Sequence, residues 1–302
     1  MRHRTDGGPV MDDLFMFEIE APNGDRATIH GPGSGREGIE LDESPEGYWE
    51  TPTTTLWSEG ANQEGGTYDG YKHNMQDVIL PVHISPTDDM SWQQVKSRWS
   101  AMWEFDRITY LVATSSSGVR RLGLQKIETP KFAPKNDPGR NRYGHMVMTL
   151  RAGWPFWIEK DEVDLFQSKT GALDGHVTLS NPTNRPMHLK WVIDAPQGGQ
   201  VTLPDFSWIT DPEHEDYEWR GRVIDVPTLS VGEELTIRTY PDDPTYDSNI
   251  NPLFWARANS KEFEFAVPPH TLPIDVPINC TKANMTVAVY QPRHWTMVSG
   301  GE

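Results

Sequence analysis

Glycine and proline punctuate this chain along its whole length, and that punctuation limits the possible folds more than any other feature. The 302 residues include 25 Gly and 25 Pro, spread rather than clustered. Short apolar runs lie between them and end at Gly, Pro, Asn or Asp, which is typical of β-strands. The alternation in Glu262–Val267 indicates a half-buried strand. The pattern as a whole predicts strands at 14–19, 78–84, 108–113, 119–127, 145–150, 176–179, 187–193, 234–239, 262–267 and 285–290.

One segment has helical periodicity instead. Its apolar residues are spaced so that they share one face of a helix, and they are Trp92, Val95, Trp99, Met102 and Trp103. Asp88, Asp89 or Ser91 is a suitable N-cap. A stripe with three tryptophans fits either a ligand platform or a packing surface. Packing is the commoner role, so we predict a short helix packed on a sheet.

The length and the changes in composition predict two domains. Residues 153–175 end one strand-rich block and pass through a loop, so we place the domains at 1–164 and 165–302. Residues 31–66 are rich in Gly, Pro, Glu and Thr and show little periodicity. We interpret them as a long loop or arm, because long loops in compact domains are often functional. In an oligomer we expect such an arm to contact a neighbouring copy.

The charge is acidic and unevenly distributed. The net charge is −17, which argues against specific binding to nucleic acid. Residues 1–90 carry 5 basic and 18 acidic residues, whereas residues 107–142 carry 8 basic and 2 acidic residues. Oppositely charged surfaces suit docking between copies or onto a charged partner, although a solvated basic hairpin explains the pattern equally well. The candidate interface residues are Arg107, Arg120, Arg121, Lys126 and Lys131.

Motifs for catalysis, cofactors or metals are missing from the sequence. Gly31–Gly35 lacks the Lys-Ser/Thr of a phosphate-binding loop, and no nucleophile elbow is present. The acidic loops 211–217 and 240–247 suit Ca²⁺ only loosely, because they lack the glycine and spacing of a calcium loop. Cys280 has no cysteine partner, and we expect it to be a buried apolar residue. We predict no enzymatic activity, no cofactor and no metal.

Membrane association is not predicted either. Residues 1–6 introduce no apolar leader, and no apolar run approaches the roughly 18 residues that span a bilayer.

The segment 175–193 carries the most specific pattern. It predicts a strand, a turn that begins at Asn181-Pro182 and ends after Arg185 at Pro186, and a second strand with Trp191 at its centre. This pattern resembles the second domain of distal tail proteins (the Dit type) of long-tailed bacteriophages. The strand at 78–84, the helix at 91–103 and the hairpin at 108–127 look similar to the first domain of that family. The ending 290–295 resembles minor tail proteins of actinobacterial phages.

The resemblance implies a mainly β fold with two parts. The first is a tail-tube-like β-barrel with one short helix, and the second is a galectin-like β-sandwich. It further implies a structural protein of the virion tail tip, synthesised in the host cytoplasm. Copies would form a six-fold ring that joins the tail tube protein to the tip or baseplate hub protein. The lumen would pass the tape measure and DNA without specific recognition.

Two other functions remain open. A carbohydrate-binding module or receptor-binding adhesin would expose tryptophans on one face of the second domain, and Trp208, Trp219 and Trp255 are the candidates. Tryptophans in the core are commoner than sugar platforms. A polysaccharide hydrolase would need two carboxylates brought together in a cleft, and no local motif marks such a pair.

Overall fold

A computed structural model describes residues 14–258 and 261–302. Residues 1–6, on which the inference about a leader depends, lie outside this range. The described chain is mainly β-strand, which confirms the predicted fold class. It divides into two compact units. The first comprises the residues up to Glu159 together with Trp295–Gly301, and the second spans Lys160–His294. The division therefore falls before the predicted boundary at 164, and the C-terminal residues return to the first unit.

The first unit is built around antiparallel strands. These are β1 (Met16–Glu20), β2 (Arg26–His30), β3 (Ile39–Leu41), β4 (Thr53–Ser58), β5 (Thr67–His73), β6 (Gln76–Ile84), β7 (Thr109–Ser115), β8 (Gly118–Lys126) and β9 (Gly144–Ala152). Seven of them form an open sheet in the order β2-β1-β7-β8-β9-β6-β3. The Gly35 N–H donates to the Thr28 carbonyl at 3.3 Å and ties the connection between β2 and β3 to β2. Within the described residues, β4 and β5 pair with each other and with no other strand.

Two helices accompany the sheet of the first unit, α1 (Trp92–Ala101) and α2 (Pro138–Asn141). Helix α1 begins at Ser91, whose backbone N–H donates to the Gln94 side chain at 2.8 Å. The Gln94 N–H donates in return to the Ser91 hydroxyl. This reciprocal pair satisfies two backbone donors that a helix start otherwise leaves without partners. The predicted helix at 91–103 is therefore present, with Ser91 as its cap.

The second unit is a two-sheet sandwich. Its strands are β10 (Trp157–Gln167), which starts in the first unit, β11 (Asp174–Asn181), β12 (Lys190–Ala195), β13 (Val201–Pro204), β14 (Val223–Asp225), β15 (Glu233–Arg238), β16 (Thr245–Ser248), β17 (Thr271–Cys280) and β18 (Thr286–Trp295). One sheet has the order β16-β15-β12-β18-β10, and the other β11-β17-β13-β14. A 3-10 helix (Glu215–Gly221) and α3 (Phe254–Ala258) lie in the connections. Both sheets contribute alternate side chains to one core, such as Trp191 from β12 and Ile278 from β17.

Side chains cover the edge of β11 in this sandwich. The Thr178 N–H donates to the Asp164 carboxylate at 2.7 Å, and the Ser180 N–H donates to the Gln291 amide oxygen at 2.8 Å. The Gln291 amide donates to the Thr178 carbonyl at 3.0 Å, and Arg293 donates to the Ser180 carbonyl. Backbone groups that an edge strand would offer to another chain are thus already satisfied.

The predicted strand at Glu262–Val267 is wrong, since only Val267 makes a strand-like bridge, to Met187. The buried Asp205 carboxylate accepts hydrogen bonds from the N–H groups of Glu264 and Phe265, both at 3.1 Å. These backbone donors therefore bond to a side chain and not to a neighbouring strand. Alternation alone does not reveal such competition.

The predicted arm at 31–66 also needs correction. Strand β3 lies inside it and pairs with β6, and Ile39 and Tyr48 are buried in the first unit. Only the later part projects, and it is the beginning of the β4–β5 hairpin, which continues to His73. The glycines and prolines in this stretch mark turns between short strands, which sequence reasoning took for one irregular loop.

Candidate assembly surfaces

The apolar stripe of helix α1 belongs to the core of the first unit. All five predicted residues are buried there: Trp92, Val95, Trp99, Met102 and Trp103. The Trp92 indole N–H donates to the Ile84 carbonyl at 3.2 Å, which ties the helix to the end of β6. A ligand platform requires exposed rings, so the stripe has a packing role.

Four of the predicted interface residues keep part of their side chains at the surface. Arg107, Arg121 and Lys131 are exposed, and each pairs with a carboxylate of its own unit at 3.3–3.9 Å. Lys126 is half-buried, and its Nζ donates to the Trp103 carbonyl at 2.9 Å. Exposed ion pairs contribute at most about 1 kcal/mol. Carboxylates of a partner can therefore replace these internal ones at little cost.

Arg120 must be removed from the predicted interface, because only 1% of its surface is exposed. Its guanidinium donates to the carbonyls of Met297 and Gly300 at 3.0 and 2.9 Å. The same group lies 3.7 Å from the centre of the Trp295 ring. Successive side chains of a strand point to opposite faces, so Arg120 and Arg121 on β8 serve different surfaces. Arg120 holds the C-terminal residues on the first unit.

The turn that carries the family resemblance is organised by one buried amide. The Asn181 side chain donates to the carbonyls of Arg185, Val267 and Pro268 at 2.8, 3.0 and 2.9 Å. Its oxygen accepts from the N–H and the hydroxyl of Thr183. Asn181 thus closes the turn and ties it to the segment at 267–268. Pro182, Arg185 and Pro186 of the predicted turn are exposed or half-buried, and Trp191 lies in the sandwich core.

The β4–β5 hairpin is the most exposed element of the first unit. Cross-strand pairing places Trp57 opposite Tyr68 and Thr55 opposite Tyr71, so these side chains share one face. A bulge between the two pairs, at Asp69 and Gly70, puts both tyrosines on that face, and Gly70 adopts a φ of 122° that suits glycine. Exposed fractions are 59% for Trp57, 51% for Tyr68 and 58% for Tyr71. We call Trp57, Tyr68 and Tyr71 the aromatic face.

Sequence reasoning missed this aromatic face. The β-branched and aromatic residues at 53–57, the Gly65-Gly66 pair and the residues that follow are a recognisable hairpin signal. Tyr68 and Tyr71 are three residues apart, which in a regular strand would place them on opposite faces. The bulge that unites them depends on pairing with β4 and is not visible in the spacing.

A groove with basic residues lies elsewhere in the first unit, around the connection from β8 to β9. It has a volume of about 470 Å³. Its lining includes Lys131, Pro134, Lys135, Tyr143, His145 and Val147. The segment also carries the exposed Arg140 and Arg142, next to helix α2. We call this feature the basic groove.

An acid shared by two histidines borders the basic groove. The Asp42 carboxylate contacts His83 Nε2 at 2.8 Å and His145 Nε2 at 2.9 Å, and Tyr143 bonds to the other nitrogen of His83. Burial of Asp42 raises its pKa, but the hydrogen bond from the Glu43 N–H and the two histidines outweigh this effect and lower the pKa overall. The cluster joins the end of β3 to β6 and β9 and so shapes one wall of the groove.

The structure places the other candidate sites as follows. Residues 14–258 and 261–302 contain no group of three or more His, Cys, Asp or Glu side chains suited to a metal ion. Cys280 is buried, and burial raises the pKa of its thiol to about 11, as expected of an inert apolar residue.

Trp208 is half-buried and packs against the sandwich core, whereas Trp219 and Trp255 are exposed. None of the described helices combines the length and apolar character needed to cross a membrane.

The fold identifies the class of protein. The chain is similar to the Dit protein of phage SPP1, described as a paradigm of the hub adsorption apparatus in phages that infect Gram-positive bacteria. The TM-score is 0.56 at 7% identity, and the likeness covers 92% of this chain and 99% of that protein. A component of the phage P2 baseplate in its activated, Ca-containing conformation gives a TM-score of 0.51 at 10% identity over 93% and 98% of the chains. The fold is that of a phage distal tail protein.

The chain is also similar in sequence to known phage proteins, although no family model matches it. The chain is 27% identical over 340 aligned positions to minor tail protein Gp27 of Mycobacterium phage D29, covering 95% of this chain and 98% of the relative. The corresponding protein of Mycobacterium phage L5 is 26% identical over 307 positions, with 85% and 89% covered. The chain is thus homologous to minor tail proteins of mycobacteriophages, and its fold is similar to that of a Dit protein.

Proposed function

We propose that copies of this protein form a six-fold ring at the tail tip. The ring joins the tail tube protein to the tip or baseplate hub protein, and its lumen passes the tape measure and DNA. The observation that carries this proposal is the end-to-end structural likeness to a Dit protein, which spans both units of the chain. A protein that is similar along its whole length offers the same elements for assembly, and not only one shared domain.

The surfaces of the first unit support an assembly role. The β4–β5 hairpin has no further strand partner in the part of the chain that the structure describes, and a lone two-stranded hairpin is marginally stable in water. Contact with a neighbouring molecule would stabilise it. Arg107, Arg121, Lys126 and Lys131 provide cations for contact with an adjacent copy or with the tube protein.

The charge of the chain suits passage of DNA without binding. A protein that neutralises few phosphates gains little affinity from counterion release. With a net charge of −17, the ring would hold DNA weakly and let it slide. The proposed role is geometric and not enzymatic. We further propose that the sandwich of the second unit is galectin-like and projects from the ring.

Averaged electron images of virions that contain the protein test this function, together with the mass of the purified protein from light scattering. We expect a six-fold ring with a central opening where the tube meets the tip. A stable monomer that is absent from any ring in the virion would contradict the proposal. Screening of glycans would then be the next measurement, because the exposed Trp219 and Trp255 would become the main candidates for sugar contacts.

A further inference from the structure

We propose that the β4–β5 hairpin of one copy docks in the basic groove of a second copy, with its aromatic face buried against the groove. This inference rests on the proposed ring and names the two surfaces that meet in it. The hairpin supplies aromatic side chains and carboxylates. The groove supplies apolar walls and cations.

The hairpin is anchored at its base and exposed beyond it. At the base, the Asn74 N–H donates to the Pro52 carbonyl at 2.8 Å, and the His73 ring packs edge-on against Phe156 at 5.0 Å. Further out, the Trp57 ring packs edge-on against the Tyr68 ring of the same hairpin, with the ring centres 5.3 Å apart. Three large aromatic side chains that are more than half exposed are unusual for a surface that faces water. Tryptophan and tyrosine are the residues that most often anchor protein interfaces.

Charge complementarity selects the basic groove as the receptor. The hairpin and its turn carry Glu59, Glu64 and Asp69 against a single Lys72. The segment around the groove carries Lys131, Lys135, Arg140 and Arg142 against Glu128 and Asp137. One of these acids is used internally, because the Asp137 side chain caps helix α2 by accepting from the Gly139 N–H. The excess of cations in the groove thus faces an excess of carboxylates on the hairpin.

The basic groove also has apolar walls that suit the aromatic face. Pro134, Tyr143 and Val147 give it apolar walls, and Lys131 and Lys135 lie at the same site. A pocket of about 470 Å³ accommodates aromatic side chains. Apolar anchors surrounded by charged residues are the usual layout of a protein interface, in which burial contributes affinity and charges fix the register.

The occupant is a second copy because the hairpin does not fill the groove of its own chain. The aromatic residues remain exposed in the single chain, and none of them lines the groove. Contact between two different surfaces is heterologous, and repetition of such a contact gives a closed ring when its rotation divides a full turn. Contact of the hairpin with an identical hairpin would instead give a two-fold dimer.

A site-specific photo-cross-link tests which surfaces meet. A photoreactive phenylalanine analogue replaces Tyr68 in the full chain, and virions that contain it are irradiated and digested for mass spectrometry. We expect the hairpin joined to a peptide from 131–147 of another copy. The same probe at Leu272, which is 81% exposed in the second unit, is the matched control and should not yield this product. A link from Tyr68 to another tail protein or another segment, or no link at all, overturns the proposal.

Charge reversal provides an independent test. Glu59→Lys with Glu64→Lys, and separately Lys135→Glu with Arg140→Glu, should each lower the yield of rings about ten-fold or more. Combining all four changes should restore most of the yield. Glu213→Lys with Glu218→Lys makes the same change in net charge as the hairpin pair, at two exposed positions in and beside the 3-10 helix of the second unit, and should leave the yield unchanged. Failure of the combined variant to recover contradicts the pairing, provided that it melts like the wild type.

The two tests separate failure of this inference from failure of the proposed function. If virions show a six-fold ring while the hairpin cross-links elsewhere, the ring is present and the named contact is wrong. If the hairpin cross-links to the groove of a second copy in an assembly without a six-fold ring, the contact is present and the proposed function is wrong.

Discussion

The side chain of Asn181 both donates and accepts hydrogen bonds within one buried turn, as an amide can. It has two N–H bonds, which serve three carbonyls, and one oxygen, which serves Thr183. The residue is fully buried. Buried polar groups are costly unless they are paired, so the turn depends on an amide at this position.

Asn181→Asp tests this role at nearly constant side-chain volume. The carboxylate cannot donate, and it faces three carbonyl oxygens. We expect a loss of at least about 3 kcal/mol in the free energy of unfolding of the second unit, measured by urea titration. Asn279→Asp, at an exposed position on β17, makes the same chemical change and should shift stability by about 0.5 kcal/mol or less. Equal losses in the two variants would contradict the assignment.

At the scale of elements, β8 shows how one strand serves two surfaces. Arg121 faces outward and pairs with Glu20 at 3.5 Å, whereas Arg120 faces the core and the returning C-terminal residues. Those residues are also held by the Thr51 N–H, which donates to the Thr296 carbonyl at 2.7 Å, and by the Trp295 indole, which donates to Glu159 at 2.9 Å. Arg120 is therefore a structural residue of the first unit.

Alanine substitutions at these two adjacent arginines test that difference. Arg120→Ala leaves the carbonyls of Met297 and Gly300 without this partner, so we expect a loss of about 3 kcal/mol and faster proteolysis near residue 295. Arg121→Ala removes one exposed ion pair and should cost about 1 kcal/mol or less. The measurements are thermal unfolding and limited proteolysis of the full chain. If Arg121→Ala destabilises as much as Arg120→Ala, the two roles are not distinct.

Elements also differ in how their edges are satisfied. Within residues 14–258 and 261–302, side chains of Asp164, Gln291 and Arg293 cover β11, whereas β4 and β5 pair with no strand besides each other. An uncovered strand can pair with another molecule. The two hairpin strands thus differ from β11, because their outer edges have no strand partner.

At the scale of the whole molecule, the described residues form two separate cores, and two half-buried histidines of the second unit, His188 and His294, lie outside its core. Burial and the charges of Arg185 and His188 lower the pKa of His294 to about 4. Burial and Arg185 likewise lower the pKa of His188. Below the ordinary value of 6.5, the unfolded chain therefore binds protons that the folded chain does not. The contribution of these histidines to the stability of the second unit is therefore complete above pH 6.5 and is lost as the pH falls towards 4.

Thermal unfolding between pH 7 and pH 4 checks this linkage. The contribution of His294 is on the order of 3 kcal/mol at the acidic end. His294→Gln should therefore flatten the fall of the melting temperature of the second unit with decreasing pH. His176→Gln, at an exposed position on β11, should follow the wild type. Parallel curves for all three proteins would show that His294 does not control the acid response.

By itself, the sequence determined the mainly β class, the capped helix and the identity of its buried face. It also determined the resemblance that leads to distal tail proteins. These features depend on local patterns: Gly and Pro between short apolar runs, the spacing from Trp92 to Trp103, and the Asn181-Pro182 turn. Strand and helix periodicity is a property of neighbouring residues, so it can be read without knowledge of the packing.

Only the tertiary structure decided which residues are at the surface where assembly would occur. The sequence predicted the same role for Arg120 and Arg121, but on β8 the Arg120 side chain points towards the C-terminal residues. Glu262–Val267 alternates like a strand in sequence, but its backbone bonds to the Asp205 side chain instead. Tyr68 and Tyr71 share a face because a bulge in a cross-strand pair shifts the register. Each outcome depends on a partner distant in sequence, and burial, edge coverage and register are properties of such pairs and not of local composition.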